Sequence, residues 1–225
     1  MSELGRIAAA DAAAGLVETG MRLGLGTGRT MEAVLRALAR RVREEGLAFA
    51  GIPTSEATAA RARALGLLIA AADAPCDLAI DGADQIERGT LRLVKGGGGA
   101  LLREKIVAES ARRFVVVADA AKLVDTLGTG FALPVEIVPF GAEATARRIA
   151  ALGGAPALRM QGGAAVRTDN GNLILDCAGF APIRDPFTLE RVLRGIAGVV
   201  ATGLFLLPVE RALIGHDDGR VEVLR

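Results

Sequence analysis

The sequence contains no tryptophan or tyrosine, and phenylalanine alone supplies its 3% of aromatic residues. Proteins that bind single-stranded nucleic acid usually stack the bases on aromatic side chains. The 27 basic and 26 acidic residues leave a formal charge of +1, so no net field favours nucleic acid or an anionic membrane as a partner. A small polar ligand is the better hypothesis.

Histidine and cysteine are also scarce. His216 is the only histidine and lies in a polar segment, 214–219, that is typical of a hairpin tip. Cys76 and Cys177 are far apart and form no CxxC pair, which disfavours a disulfide framework and a thiolate zinc site. We therefore expect neither a metal nor another cofactor, and a reducing cytoplasm suits such a chain.

Long uninterrupted apolar runs are missing too. The alanine-rich segment Met1–Gly20 contains Glu3, Arg6, Asp11 and Glu18, so it lacks the core of a signal peptide. No other stretch has the length and purity of a membrane span. With 225 residues and 51% hydrophobic composition, the chain is nevertheless long enough to bury a substantial core.

The first half alternates short apolar runs with helical patterns, which predicts an α/β fold. We expect a Rossmann-like, mainly parallel sheet with helices on both faces. Its predicted strands are Met21–Leu25, Phe49–Ile52, Leu67–Ala70, Leu78–Asp81, Leu91–Lys95 and Phe114–Ala118.

The pattern changes after Gly130. A proline-bounded strand, a helix, a hairpin with an Asn-Gly turn at Asn170 and another helix predict a small α+β domain over residues 131–205. The large domain would comprise residues 1–130 together with the closing strands of 206–225.

Glycine-rich turns stand where predicted strands end, which is the edge of a parallel sheet that usually binds ligands. The segment Gly24–Thr30 could hold a phosphate on backbone N–H groups at a helix N-terminus, or it could be only a tight turn. A dinucleotide fingerprint would have glycine in place of Arg29.

Two carboxylates, Asp81 and Asp84, flank Gly82 at the end of another predicted strand. One could accept a hydroxyl proton while the other holds a sugar hydroxyl or a cation. A magnesium site and a solvated acidic turn are the alternatives.

Four successive glycines, Gly96–Gly99, follow Lys95 and precede Glu104 early in a predicted helix. Such a run costs backbone entropy, and close approach of a ligand to the main chain would explain it. Glu104 could instead be an ordinary first-turn acid that the helix dipole stabilises.

In order, these segments and Asp119–Lys122 resemble the signature blocks of the type A ribose-5-phosphate isomerases. Further similarity at Leu133–Glu136, Thr168–Asn172 and Gly198–Phe205 extends the resemblance over nearly the whole chain. Arg29, Gln85 and Ala121 depart from it, because the family usually has serine, glutamate and serine at these positions.

The resemblance implies an aldose–ketose isomerase that interconverts ribose 5-phosphate and ribulose 5-phosphate, with Glu104 as the proton acceptor. It implies catalytic roles also for Asp81, Asp84 and Lys95. The substrate-binding residues that it implies are Thr27, Gly28, Arg29, Thr30, Gly82, Ala83, Gly96, Gly97, Gly98, Lys122 and Arg6. It further implies a homodimer or a dimer of dimers in the cytoplasm.

The residue types suit this chemistry independently, because one carboxylate can remove a proton next to a carbonyl and return it to the adjacent carbon. An ammonium such as Lys95 and the N–H groups of the glycine run can stabilise the enediolate without a metal. A non-catalytic sugar-phosphate-sensing module, a nicotinamide-dependent dehydrogenase and a coenzyme A transferase are the alternatives. About twenty residues before the first predicted strand are too few for a helix-turn-helix DNA reader.

Overall fold

The computed structural model describes residues 3–225, which fall into two compact units. The first unit contains the described residues up to Ala83 together with Arg103–Leu123 and Leu207–Arg225. The second contains Asp84–Leu102 and Val124–Leu206. The domain boundaries near residues 130 and 206 stay a prediction. The predicted large domain included residues 84–102, whereas in the structure this segment belongs to the second unit.

The described residues form α-helices, strands and one short 3-10 helix. The helices are α1 (Glu3–Ala14), α2 (Arg29–Glu45), α3 (Glu56–Ala64), α4 (Leu101–Ser110), α5 (Ala142–Ala151) and α6 (Pro186–Arg194), with the 3-10 helix at Ala120–Lys122. The strands are β1 (Arg22–Leu25), β2 (Ala50–Pro53), β3 (Leu68–Ile69), β4 (Leu78–Gly82), β5 (Gln85–Glu87), β6 (Leu93–Val94), β7 (Phe114–Asp119), β8 (Leu123–Val124), β9 (Leu133–Ile137), β10 (Ala155–Leu158), β11 (Met160–Gln161), β12 (Ala164–Ala165), β13 (Leu173–Ala178), β14 (Val199–Thr202), β15 (Leu204–Phe205), β16 (Arg211–Gly215) and β17 (Val221–Leu224).

A seven-stranded sheet forms the centre of the first unit, in the order β17-β16-β7-β4-β1-β2-β3. All of its neighbouring strands are parallel except β16 and β17. The chain leaves β1 toward β2 and β3, then returns to the other side of β1 through β4 and β7. This confirms the predicted α/β fold with a mainly parallel sheet, and it creates a switch point between β1 and β4.

Helix α1 is a feature that the sequence patterns did not indicate. It packs on α2, β7 and β16 through a face of small side chains, among them Ala9, Ala10, Ala13 and Ala14. Alanine has the highest helix propensity and lets neighbouring elements approach closely. It gives little contrast between an apolar and a polar face, so helical periodicity is hard to read there.

The second unit contains an antiparallel sheet in the order β10-β13-β9-β14 and a hydrophobic core that includes Leu133, Val135, Ile149 and Leu193. The buried carboxylate of Glu136 lies in this sheet. Its Oε1 accepts hydrogen bonds from Thr168 Oγ1 at 2.9 Å, Asn172 Nδ2 at 2.9 Å and Asn170 Nδ2 at 3.3 Å. These bonds anchor the predicted Asn-Gly turn.

The sequence predicts that Leu91–Lys95 is a strand of the mainly parallel sheet, and the structure differs from this prediction. Only Leu93–Val94 is extended, and it pairs antiparallel with β5 and β15 in a separate four-stranded sheet. Leu91 has a φ of 54° and Gly96 a φ of 107°, so left-handed backbone bounds the strand on both sides.

An ion pair joins the starts of β7 and β16. Arg113 Nε donates to Glu210 Oε2 at 2.5 Å and Arg113 Nη2 to Glu210 Oε1 at 3.1 Å, while Glu210 N donates to Phe114 O at 2.8 Å. The hydrogen bond from Arg113, with a further one from Arg211, lowers the pKa of Glu210 from 4.5 to about 2.

Because the folded-state pKa of Glu210 is lowered, the ion pair stabilises the protein fully above pH 4.5 and loses this effect as the pH falls toward about 2. Glu210→Gln should therefore lower the melting temperature near pH 6 by about 2–4 °C, as expected for a partly exposed pair worth about 1 kcal/mol. Near pH 2.5 the difference between variant and wild type should shrink. Thermal unfolding across this range, with the exposed Glu143→Gln as control, tests it, and a pH-independent difference would contradict it.

Candidate active site

The carboxyl ends of three adjacent parallel strands gather predicted site residues of the first unit. Thr27–Thr30 follow β1, Asp81 and Gly82 end β4, and Lys122 lies in the 3-10 helix directly after β7. Of these, β1 and β4 are the strands of the switch point, where open α/β sheets usually bind ligands. The fold therefore brings these segments to one edge of one sheet.

Asp81 is buried, with 3% of its surface exposed. Its Oδ1 accepts hydrogen bonds from Gly82 N at 2.7 Å and Thr27 N at 3.3 Å. A Cβ built on Gly26 would lie 1.9 Å from the same oxygen, so the loop after β1 can pass the carboxylate only with glycine there. This contact explains one glycine of the loop without a ligand.

The side chain of Thr27, itself partly buried, joins a hydroxyl cluster with three buried partners, which we define as Thr27, Thr54, Ser55 and Thr58. Thr27 Oγ1 lies 2.8 Å from Thr54 Oγ1, 2.9 Å from Ser55 Oγ and 3.2 Å from Thr58 Oγ1. The three partners were not predicted from the sequence, although Thr54 and Ser55 also follow a strand of the same sheet and Ser55 caps α3 by accepting a hydrogen bond from Thr58 N. These hydrogen bonds hold Thr27, and with it the loop after β1, in a fixed position.

The rest of this loop begins α2. Gly28 is the N-cap of α2. Because glycine has no side chain to accept a hydrogen bond, the N-cap residue leaves the first-turn N–H groups of this helix uncapped. Arg29 is exposed and Thr30 is partly buried. Arg6 lies on α1, partly buried.

Glu104 lies in the first turn of α4, and only 4% of its surface is exposed. An ordinary first-turn acid is solvated, whereas this carboxylate and the neighbouring Lys105, 6% exposed, are both buried. Charged side chains are seldom buried this deeply, and functional sites are one setting where they are, so the burial favours a functional carboxylate over the ordinary helix acid.

The second unit positions Asp84 and the glycine run. Asp84 Oδ2 accepts a hydrogen bond from Gly97 N at 2.7 Å, and a Cβ on Gly97 would lie 2.6 Å from Asp84 Oδ1. Gly97 and Gly98 are exposed, whereas Gly96 is buried. Ala83, which precedes Asp84, is partly buried in the first unit.

Lys95 is buried, with 3% exposure. Its backbone N–H donates to Gly203 O at 2.9 Å, and its Nζ lies 5.4 Å from the centroid of the Phe205 ring. An ammonium over an aromatic face is favourable when water is excluded. Gly203 and Phe205 thus help to set the position of Lys95.

Neither cysteine offers a reactive thiolate. Cys76 and Cys177 are free and buried, and burial raises the pKa of both thiols, that of Cys177 to about 12. Among residues 3–225, no group of three or more His, Cys, Asp or Glu side chains is arranged to hold a metal ion. Over the same residues, no helix has the length and apolar character needed to cross a membrane.

Comparison with known proteins gives matches over nearly the full chain. The family model of ribose 5-phosphate isomerase A (phosphoriboisomerase A) matches residues 50–219. A ribose-5-phosphate isomerase A from Synechococcus sp. (strain JA-3-3Ab) is 49% identical over 97% of this chain and 95% of that protein.

Solved structures agree. Ribose 5-phosphate isomerase A from Methanocaldococcus jannaschii has a TM-score of 0.93 and 40% identity, with 98% of both chains covered. A D-ribose-5-phosphate isomerase in complex with phospho-erythronic acid has a TM-score of 0.94 and 33% identity, with 100% of this chain and 99% of that chain covered.

The chain shares its α/β fold and nearly its full length with these relatives, which places it among the isomerases. The chain belongs to the ribose 5-phosphate isomerase A family. The resemblance inferred from the motifs is confirmed, and the sensing module, the dehydrogenase and the coenzyme A transferase are not retained as alternatives.

Replacing Gly26 by alanine should displace the carboxylate of Asp81, because the new Cβ and Oδ1 cannot both occupy their positions. We expect a loss of at least about 1–3 kcal/mol in the free energy of unfolding, measured with urea, since overpacking costs this much. Gly15→Ala is the matched control, since its Cβ would meet its nearest neighbours at an ordinary 3.4 Å. Equal stability of the two variants would contradict the prediction.

Proposed function

We propose that the protein interconverts D-ribose 5-phosphate and D-ribulose 5-phosphate through an enediolate, as a step of the pentose phosphate pathway. Family membership supports the reaction. The relative in complex with phospho-erythronic acid, a phosphorylated sugar acid, supports a phosphosugar as the substrate here.

Glu104 is the general base in this proposal, and its burial in the first turn of α4 is the observation that carries it. The carboxylate removes the proton from the carbon next to the carbonyl and returns it to the adjacent carbon. A buried carboxylate can do this with little competition from water.

The other predicted residues divide between sugar oxygens and phosphate. Asp81 and Asp84 hold or deprotonate hydroxyl groups, while Lys95 and N–H groups of Gly96–Gly98 stabilise the charge of the enediolate. Both aspartates accept backbone N–H bonds, which keep their oxygens in a defined orientation. Gly82 and Ala83 shape the backbone next to Asp81.

The phosphate binds at the start of α2, assisted by Lys122 and Arg6. The uncapped N–H groups after Gly28 and the helix dipole support this assignment. The hydroxyl of Thr27 is held by the hydroxyl cluster, so we assign Thr27 to positioning the loop and Arg29 and Thr30 to direct contact.

We propose a homodimer, alone or as a dimer of dimers, in the cytoplasm, where free thiols such as Cys76 and Cys177 persist. Large apolar side chains of the second unit, Phe140 at 93%, Met160 at 54% and Phe187 at 53%, are exposed and available to a second copy of the chain. Light scattering should give at least twice the 23.1 kDa of one chain, and a monomer at micromolar concentration would contradict this.

Glu104→Gln should fold normally and lose at least about 10²–10⁴-fold in kcat, because an amide cannot accept a carbon-bound proton. KM should change little. Glu109→Gln, an exposed position on the same helix, is the matched control and should keep full activity. The interconversion of the two pentose phosphates is the assay.

Deuterium incorporation gives a second measurement of the same step. In heavy water the wild type should place deuterium on the carbon next to the carbonyl, since the captured proton can exchange with solvent before its return. A Glu104→Gln variant with near-normal turnover would assign the base elsewhere, with Asp81 as the next candidate.

Ribose without its phosphate should react with a kcat/KM lower by about 10²–10⁴-fold, because two charge-assisted hydrogen bonds at about 1.5–3 kcal/mol each are lost. Lys122→Gln should weaken turnover of ribose 5-phosphate and leave that of ribose almost unchanged. Equal kcat/KM for the two sugars would refute the phosphate assignment.

A further inference from the structure

Arg159 makes a contact that its sequence gives no hint of. It lies between β10 and β11, and its Nη1 donates to Gly96 O at 2.7 Å and to Gly97 O at 3.3 Å. Most arginine side chains are solvated, and no sequence motif links this position to the glycine run. Only 15% of its side chain is exposed.

Asp176, on β13, holds the guanidinium in place. Arg159 Nε donates to Asp176 Oδ2 at 2.9 Å, and Nη2 donates to Oδ1 at 2.5 Å. This is a bidentate pair, which fixes the plane of the guanidinium as well as its position. The third nitrogen, Nη1, is thereby directed at the glycine carbonyls.

The peptide group between Gly96 and Gly97 is consequently held at both ends. Arg159 binds its carbonyl oxygen, and Asp84 Oδ2 accepts its N–H at 2.7 Å. In a planar trans peptide the C=O and N–H point in opposite directions, so orienting one group orients the other.

Glycine makes this outside support necessary. Gly96 and Gly97 have no side chains to pack, and glycine has more backbone freedom than any other residue. A charged donor on the carbonyl also polarises the peptide and strengthens the bond that its N–H donates. The contacts therefore form a continuous line from Asp176 through Arg159 and one peptide group to Asp84.

We propose that Arg159, held by Asp176, is a positioning residue that orients the Gly96–Gly97 peptide and, through it, the carboxylate of Asp84. The inference rests on the proposed function, in which Asp84 acts on sugar oxygens. Arg159 touches the glycine run and Asp176 and acts on the reaction only through them.

Substitution at Arg159 should affect kcat more than KM. Displacing a catalytic group by about 1 Å can cost about 10²-fold in rate, so Arg159→Met should lower kcat by about 10–100-fold and change KM by less than about threefold. Arg159→Lys keeps the charge and loses the fork, and it should fall between the wild type and Arg159→Met.

Arg167→Met is the matched control. Arg167 lies in the same unit and also donates to a glycine carbonyl, that of Gly171, at 3.0 Å. It has no contact with the glycine run among the described hydrogen bonds, so its replacement should leave kcat unchanged.

Chemical rescue and a double variant separate positioning from folding. Added guanidinium at millimolar concentration should restore part of the kcat of Arg159→Ala, which a merely unstable protein would not show. Arg159→Met combined with Asp84→Asn should be no slower than Asp84→Asn alone, because both changes remove the same orientation. Asp176→Asn should reproduce part of the Arg159→Met loss.

An NMR measurement is independent of turnover. In protein labelled with ¹⁵N-glycine, the amide proton of Gly97 should move upfield in Arg159→Met, as its bond to Asp84 weakens, and should stay in place in Arg167→Met. An unchanged Gly97 signal, additive losses in the double variant, or wild-type kcat in Arg159→Met would each overturn the proposal. If the wild type did not isomerise ribose 5-phosphate, the proposed function would fail and take the catalytic part of this inference with it, whatever the Gly97 signal showed.

Discussion

Two carboxylates each lie so close to a glycine that a side chain on that glycine would clash with them, and much of the local structure follows from these two contacts. Asp81 Oδ1 lies 1.9 Å from where a Cβ of Gly26 would be, and Asp84 Oδ1 lies 2.6 Å from where a Cβ of Gly97 would be. Each accepts a backbone N–H and is thereby oriented. A side chain at either glycine would displace the acid beside it, most strongly at Gly26, before any ligand is considered.

Much of the fold was predictable because its elements have clear periodicity. The strands of the parallel sheet are apolar and bounded by glycine or polar residues, and α2 has its apolar side chains, among them Val34, Leu35 and Leu38, on one face. Helix α1 escaped prediction because alanine gives little contrast between faces. The pairing of β6 escaped because a two-residue apolar run does not reveal its partner, and the positive φ of Leu91 has no sequence signature.

The candidate site was predictable where its residues follow strands, because a parallel sheet gathers the ends of its strands at one edge. Thr27, Asp81 and Lys122 could be singled out in this way. Arg159 and Asp176 could not, since their pairing depends on the register of β10 against β13. Thr54 and Thr58 could not either, because hydroxyl groups that satisfy one another look in sequence like any polar loop.

The pairing of β7 with β16 has a consequence for synthesis of the chain. Val115 is opposite Arg211, and the whole segment 124–206 is made between the two. Because chains are synthesised at about 5–20 residues per second, β16 follows β7 out of the ribosome on the order of 5–20 s later, and one edge of β7 stays unpaired during this time. Open strand edges recruit other chains, and such distant pairings form slowly. We therefore expect nascent chains that end before residue 211 to bind chaperones and to aggregate when released, and ribosome-bound chains of increasing length would show whether this tendency ends once β16 has emerged.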